Sequence, residues 1–169
     1  TLCLDDDLFP GTIPFLRRIR EKGGRYLFLT NNSSRGADSY VEKLRRLGIG
    51  SVPEDFLTSV DALVLFLRKG DYQGKPLYVA GTESFRRQLR QAGFSVTSDR
   101  EEAEVLICGF DTELTFQKLE DACILLNRGV EFLATNPDWV CPTWYGSVPD
   151  CGSVCEMLYR ATGRRPRVI

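Results

Sequence analysis

The run Tyr26-Leu27-Phe28-Leu29-Thr30-Asn31-Asn32-Ser33-Ser34-Arg35-Gly36 constrains the fold more than any other part of the chain. Four large apolar residues in succession predict a buried parallel strand over 26–29. That strand stops at a hydroxyl, two amides and two more hydroxyls. In an open α/β sheet, ligands sit at the carboxyl ends of the strands. A Thr there, followed by Asn and Ser able to start a helix, offers hydroxyl, amide and backbone N–H donors to an anion such as phosphate. The plainer alternative is a strand followed by an Asn/Ser helix cap.

The rest of the chain extends the same alternation. Ile13, Phe15, Leu16 and Ile19 have helical spacing, and Gly23-Gly24 ends that helix. Tyr40, Val41, Leu44 and Leu47 predict a second helix over 37–47, closed by Gly48. Pro53 opens a further helical tract that continues through Phe56 to Leu67. Residues 71–75 are polar and contain glycine, which reads as a linker. A second α/β unit follows, with strands at Leu77–Ala80, Phe94–Val96, Val105–Cys108 and Glu131–Ala134. Its helices carry Phe85 and Leu89, then Phe116, Leu119, Ala122 and Cys123 facing inward, then residues 153–161. Between the last strand and the last helix runs a loop, 136–149, rich in Pro, Trp and Tyr. Arg167-Val168-Ile169 begins another strand. Strand–helix alternation of this kind predicts a parallel sheet.

Composition excludes several chemistries. The chain has no His, so neither a Ser-His-Asp nor a Cys-His nucleophile can be assembled from it. A general base would be a carboxylate, Lys or Tyr. The six Cys include no Cys-x-x-Cys pair, and with His absent no zinc spacing occurs. Reduced thiols fit a cytoplasmic protein, and Cys151 and Cys155, one turn apart, read as helix packing. Net charge is −1 with both signs interspersed, so no nucleic-acid footprint is present. No apolar run approaches the roughly 20 residues of a membrane span. Arg17-Arg18, Arg45-Arg46 and Arg86-Arg87 read as solvated helix faces.

Several short segments fall in one order: Phe9-Pro10-Gly11, Thr30-Asn31-Asn32-Ser33-Ser34, Thr58-Ser59, Gly109-Phe110-Asp111, Thr135-Asn136-Pro137-Asp138 and Gly152-Ser153. In that order the chain resembles the haloacid dehalogenase-like phosphatases. It is most similar to their class IIA branch of NagD-type and para-nitrophenyl phosphatases. The resemblance spans essentially the whole chain. It implies a partial Rossmann-like core with a parallel sheet over 1–73, a smaller α/β cap domain over 74–165, and the start of a return strand at 166–169.

The resemblance also implies a mechanism: Mg²⁺-dependent hydrolysis of small phosphate monoesters through an aspartyl-phosphate. The substrate would be a sugar phosphate, a nucleotide, a cofactor phosphate or 4-nitrophenyl phosphate. By this likeness Thr1 matches the last residue of the Asp-x-Asp-Gly-Thr nucleophile motif, and Val168-Ile169 precedes the Gly-Lys-Pro of motif III. Motifs I, III and IV are then missing, and the chain is expected to be an inactive fragment with no metal ligand among its residues. Asp5-x-Asp7 imitates the nucleophile pair, but its strand is three residues long and Leu8 follows it. A solvated turn is the better account of it.

The resemblance assigns phosphate binding to Thr30, Asn31 and Asn32, with Thr30 as the catalytic residue. Asn32 and Ser33 are expected to cap the next helix. The cap loop would read the leaving group through Asp138, Trp139, Cys141 and Pro142. Asp111 is expected to start a helix near Thr112, with a substrate role as its competitor, and Gly81-Thr82-Glu83 is a helix start. Pairing through the caps makes a homodimer the expected assembly, and no nucleic-acid or membrane partner is expected. The alternative is a non-catalytic binding or interaction protein on the same fold. A third reading, an unrelated nucleotide-binding domain, predicts one continuous sheet.

Overall fold

The computed structural model describes residues 2–169, so the expected match of Thr1 to a nucleophile motif lies outside the described residues. The elements are β1 (Cys3–Leu4), β2 (Asp7–Leu8), α1 (Thr12–Glu21), β3 (Phe28–Thr30), α2 (Ala37–Arg46), a 3₁₀ turn at Pro53–Asp55, β4 (Phe56–Thr58) and α3 (Ser59–Lys69). There follow β5 (Leu77–Ala80), α4 (Glu83–Gln91), β6 (Val96–Thr97), β7 (Val105–Cys108), α5 (Phe116–Asn127), β8 (Glu131–Ala134), β9 (Val140–Thr143), β10 (Gly146–Pro149), α6 (Cys151–Thr162) and β11 (Arg167–Val168). No helix among the described residues is long and apolar enough to cross a membrane.

The core is a parallel five-stranded sheet, ordered β11-β8-β7-β5-β6. Its central strands are buried on both faces, as the unbroken runs Leu77–Ala80 and Val105–Cys108 predict. Successive side chains alternate between the two cores. Leu77 and Val79 join Val60, Leu63, Leu67, Phe85 and Leu89 of α3 and α4. Tyr78 and Ala80 join Ala122, Leu125, Val154 and Leu158 of α5 and α6.

This arrangement places α3 against the second sheet, although the sequence division assigns residues 59–69 to the first unit. The reason is coverage. A sheet buried on both faces needs helices on both, and between β5 and β7 the chain supplies only α4. Arg167–Val168 likewise pairs with β8 and lengthens the same sheet, where the likeness expected a return to the first unit.

The first unit is smaller. β3 and β4 pair in parallel, with Thr30 beside Thr58 at their carboxyl ends. Their core is Leu16, Leu44 and Ile49, backed by Tyr26, Phe28 and Phe56. This two-stranded sheet is not continuous with the five-stranded one, which contradicts the single-sheet reading.

Four local expectations are corrected. The run 26–29 is not a buried strand: only Phe28 and Leu29 lie in β3, and Leu27 and Leu29 are 52% and 73% exposed. Among the described residues no further strand covers that edge, and an open groove of about 570 Å³ lies along it. Phe56–Thr58 is a strand, not part of a helix, because a short apolar run fits either period and pairing with β3 decides. The loop 136–149 contains the antiparallel hairpin β9–β10. Phe116, the first residue of α5, points outward at 80% exposure, while Leu119 and Ala122 turn inward.

Candidate active site

The candidate site lies where the carboxyl ends of both sheets face each other. Thr30 closes β3 and Thr58 closes β4. Thr58 caps α3 by a reciprocal box: its hydroxyl accepts from Asp61 N–H at 3.2 Å and its own N–H donates to Asp61 Oδ2 at 2.8 Å. The hydroxyl of Ser59 then donates to the carbonyl of Asn31 at 2.8 Å, which fixes the backbone just past Thr30.

Thr30 Oγ1 accepts from the N–H of Asn32 at 3.2 Å and lies 3.5 Å from the Tyr40 hydroxyl, at the outer limit of a hydrogen bond. Tyr40 stacks on Phe56 with ring centres 5.7 Å apart. Burial raises the Tyr40 phenol pKa, opposed by the Thr30 hydrogen bond and by nearby Arg35. The phenol therefore stays protonated at neutral pH and can both donate and accept beside Thr30.

Asn32 and Ser33 do not cap α2, which corrects the sequence expectation. The N-cap of α2 is Gly36, with no side-chain bond. Asn32 instead turns back on its own loop, where Oδ1 accepts from the N–H and hydroxyl of Ser34 at 2.8 and 2.6 Å. Ser33 is fully buried, and its hydroxyl accepts from the N–H of Phe110 at 2.8 Å. The carbonyl of Ser34 accepts from the hydroxyl of Thr82 at 2.9 Å, while Thr82 also caps α4. The loop after Thr30 is thus plugged into the ends of β5 and β7. A Cβ on Gly109 would stand 2.5 Å from the Ser33 hydroxyl, so glycine is required for that approach.

The cap loop meets the same loop from the other side. Asn31 Nδ2 donates to Asp138 Oδ2 at 3.1 Å across 107 residues of sequence. The loop's backbone is held by α6: Gly152 N–H donates to the Asp138 carbonyl at 2.8 Å, and the Ser153 hydroxyl donates to the Trp139 carbonyl. A Cβ on Gly152 would collide with the Pro137 carbonyl. Trp139 is 59% exposed, Pro142 is exposed on β9, and Cys141 is half-buried. Burial, with Asp150, Asp5 and Asp138 nearby, raises the Cys141 thiol pKa. The structure thus brings Thr30, Asn31 and Asp138 together, seats Cys141 among these carboxylates, and leaves Trp139 and Pro142 on the outside.

Asp5 and Asp6 occupy the exposed β1–β2 turn and Asp7 begins β2, in keeping with a solvated turn. Asp5 adopts φ 45° and accepts from the N–H of Trp144 at the tip of the β9–β10 hairpin, at 2.7 Å. Asp111 has a structural role: it accepts from Glu113 N–H and pairs with Lys118 Nζ at 2.8 Å. Asp150 escaped the sequence reading, and three residues it named received no site role there: Tyr40, placed on a helix face, and Thr135 and Asn136, named only as part of a motif. A polar pair directly after an apolar strand marked Thr30-Asn31, and the same signal stands at Thr135-Asn136.

Among the described residues no three His, Cys, Asp or Glu side chains gather into a metal-holding group.

The polar end of β3 in one α/β unit thus faces a loop of the other across the Asn31–Asp138 contact. The model of the haloacid dehalogenase-like hydrolases matches residues 1–95. The chain is similar to a solved 4-nitrophenylphosphatase from Thermotoga maritima, 38% identical with a TM-score of 0.91, covering all of this chain and 64% of that one. It is similar to glycerol phosphate phosphatase from Mycobacterium tuberculosis solved with magnesium, 28% identical with a TM-score of 0.91, covering 99% of this chain and 50% of that one. The acid sugar phosphatase of Staphylococcus aureus is 29% identical over 169 residues, all of this chain and 64% of that protein. The chain belongs to the haloacid dehalogenase-like hydrolases, on the NagD and 4-nitrophenylphosphatase side of that family. It spans about two thirds or less of the length of these relatives.

Proposed function

We propose that the whole protein is a Mg²⁺-dependent phosphatase acting on small phosphate monoesters, such as a sugar phosphate, a nucleotide or 4-nitrophenyl phosphate. The observation that carries this reading is the 3.1 Å contact of Asn31 with Asp138, which brings the cap loop down beside the strand end bearing Thr30. In this reading the Thr30 hydroxyl rotates from Tyr40 to donate to a phosphoryl oxygen, and the Asn31 N–H adds a second bond. Donors held in place before charge develops stabilise the transition state without reorganising. Asn32 shapes the loop and adds its polar edge, and Asp138 and Cys141 flank the leaving group, with Trp139 and Pro142 at the outer rim.

The covalent step proposed for the whole protein transfers the phosphoryl group to an Asp carboxylate and releases the alcohol. Water then cleaves the acyl phosphate to inorganic phosphate. The family and the named phosphatase relatives support this, and the magnesium complex of the mycobacterial relative supports the metal requirement. A homodimer formed through the cap and a cytoplasmic location are part of the same proposal; the six cysteines, all free, support the latter.

The test is a panel of phosphate monoesters turned over by the full-length protein with Mg²⁺ and with a chelator. Hydrolysis that depends on Mg²⁺, with vanadate bound beside Thr30 in a crystal, is the expected result. Retained binding of monoesters with no phosphate release would favour the non-catalytic reading.

A further inference from the structure

We propose that Asn136 is a positioning residue that aims the Asp138 carboxylate at the leaving group, so that the site selects monoesters carrying a hydroxyl or ammonium donor near the phosphate. The inference rests on the phosphatase reading above and deepens it.

Asn136 is 2% exposed, and every polar atom of its side chain is engaged. Its Nδ2 donates to Asp138 Oδ2 and to Asp150 Oδ1, each at 3.2 Å. Two carboxylate acceptors fix that end of the amide as the NH₂. Its Oδ1 lies 3.0 Å from the hydroxyl of Thr135, which lies 3.3 Å from the hydroxyl of Ser33. Thr135 has one proton. The amide oxygen has none to offer, so Thr135 donates there and accepts a hydrogen bond from the Ser33 hydroxyl. A closed ring results: Asn31 to Asp138, Asp138 to Asn136, Asn136 to Thr135, Thr135 to Ser33, and back along the loop to Asn31.

The ring joins the cap loop to the Thr30 loop at both ends. The loop backbone is already set by Gly152 and Ser153, so only the Asp138 side chain needs orienting. Asn31 and Asn136 both donate to Oδ2. Oδ1 carries no hydrogen bond among the described residues, so it is left to accept from a ligand. A carboxylate oxygen with this freedom rewards a substrate that brings a donor, and gives nothing to one that does not.

The test compares glycerol phosphate, which carries hydroxyl donors, with 4-nitrophenyl phosphate, which carries none. The readout is the ratio of their kcat/KM values in the full-length protein. Asn136→Ala is expected to lower that ratio about tenfold, the scale of one lost charge-assisted hydrogen bond. Asn136→Asp keeps the shape without the NH₂ and is expected to lower it as well. In an Asp138→Ala background neither change should lower it further, because Asn136 acts through that carboxylate. A fall in activity on both substrates with the ratio unmoved, or an equal further fall in the Asp138→Ala background, overturns the inference alone. If the unsubstituted protein hydrolyses no monoester, the phosphatase reading fails and this inference fails with it.

Discussion

The hydroxyl of Ser33 accepts a hydrogen bond from the N–H of Phe110 at 2.8 Å, joining residues 77 apart in sequence. Through this contact the loop after β3 becomes part of the five-stranded sheet's carboxyl edge. The phosphate-binding candidates Thr30 and Asn31 are therefore placed by the second unit as much as by the first.

Ser33→Ala leaves the buried Phe110 N–H without its acceptor. Such a loss costs about 1–3 kcal/mol. Urea unfolding should show that drop in stability, and Ser33→Thr, which keeps the acceptor, tests whether the site has room for a methyl group. An unchanged midpoint for Ser33→Ala would mean that the contact contributes nothing.

Thr30→Ala is expected to lower kcat by about 10²–10³, the range for losing one preorganised donor to a developing charge. Thr30→Ser should restore most of it. Steady-state kinetics of the full-length protein on its best monoester decide, and turnover unaffected by the alanine change would remove Thr30 from the phosphate site.

Gly152→Ala should move the cap loop, because the added methyl meets the Pro137 carbonyl. Overpacking of this kind costs roughly 1–3 kcal/mol. Thermal unfolding checks the stability. A crystal structure in which Asp138 and Asn31 still touch would show that the loop yields without losing its aim.

Asp121 supplies a pH dependence. Burial by itself would raise its pKa, but hydrogen bonds from Tyr78 at 2.8 Å, Arg100 at 2.8 Å and Gln117 at 3.1 Å outweigh that and hold it below the usual value. A depressed folded-state pKa adds stability above the unfolded value, and that stability is lost as pH falls through the folded value. Tyr78→Phe removes one of those bonds and should cost about 1.5–3 kcal/mol at pH 7, the range for a bond to a charged group. The penalty should shrink as pH falls below the ordinary carboxylate range toward and through the depressed folded value, where the carboxylate protonates. Denaturant titrations at pH 7 and pH 3 measure both, and an equal penalty at the two pH values would argue against a charged acceptor.

Hydrogen exchange should divide the chain by packing. Residues 59–69 bury Val60, Leu63 and Leu67 against β5, so α3 is expected to be protected together with residues 77–134. Among the described residues, 26–57 rest on three buried apolar side chains, Leu16, Leu44 and Ile49, and should exchange faster. Equal protection in Phe28–Thr30 and Leu77–Ala80 would contradict this.

Much of the fold was legible from local pattern. Leu77–Ala80 and Val105–Cys108 read as doubly buried strands because every residue in them is apolar, and tertiary contacts could only agree. The end of β3 was legible for the opposite reason: an abrupt change from apolar to hydroxyl and amide groups leaves little else to build. Phe56–Thr58 was not legible, since three residues cannot display a period and only Phe28–Thr30 alongside makes them a strand. The β9–β10 hairpin hid in a segment, 136–149, with three prolines and no alternation.

From the residues alone came the chemistry that could be present: a Thr-Asn-Asn strand end, a Thr-Asn-Pro-Asp loop, and no histidine to serve as a base. Their partners could not be read there. Ser33 looks like a helix cap until Phe110 takes its hydroxyl, and Asn136 looks like loop filler until two carboxylates converge on its amide. The physical reason is that short-range geometry follows backbone periods written along the chain. A buried hydroxyl or amide, by contrast, satisfies whichever donor or acceptor the packing of distant strands brings within about 3 Å of it.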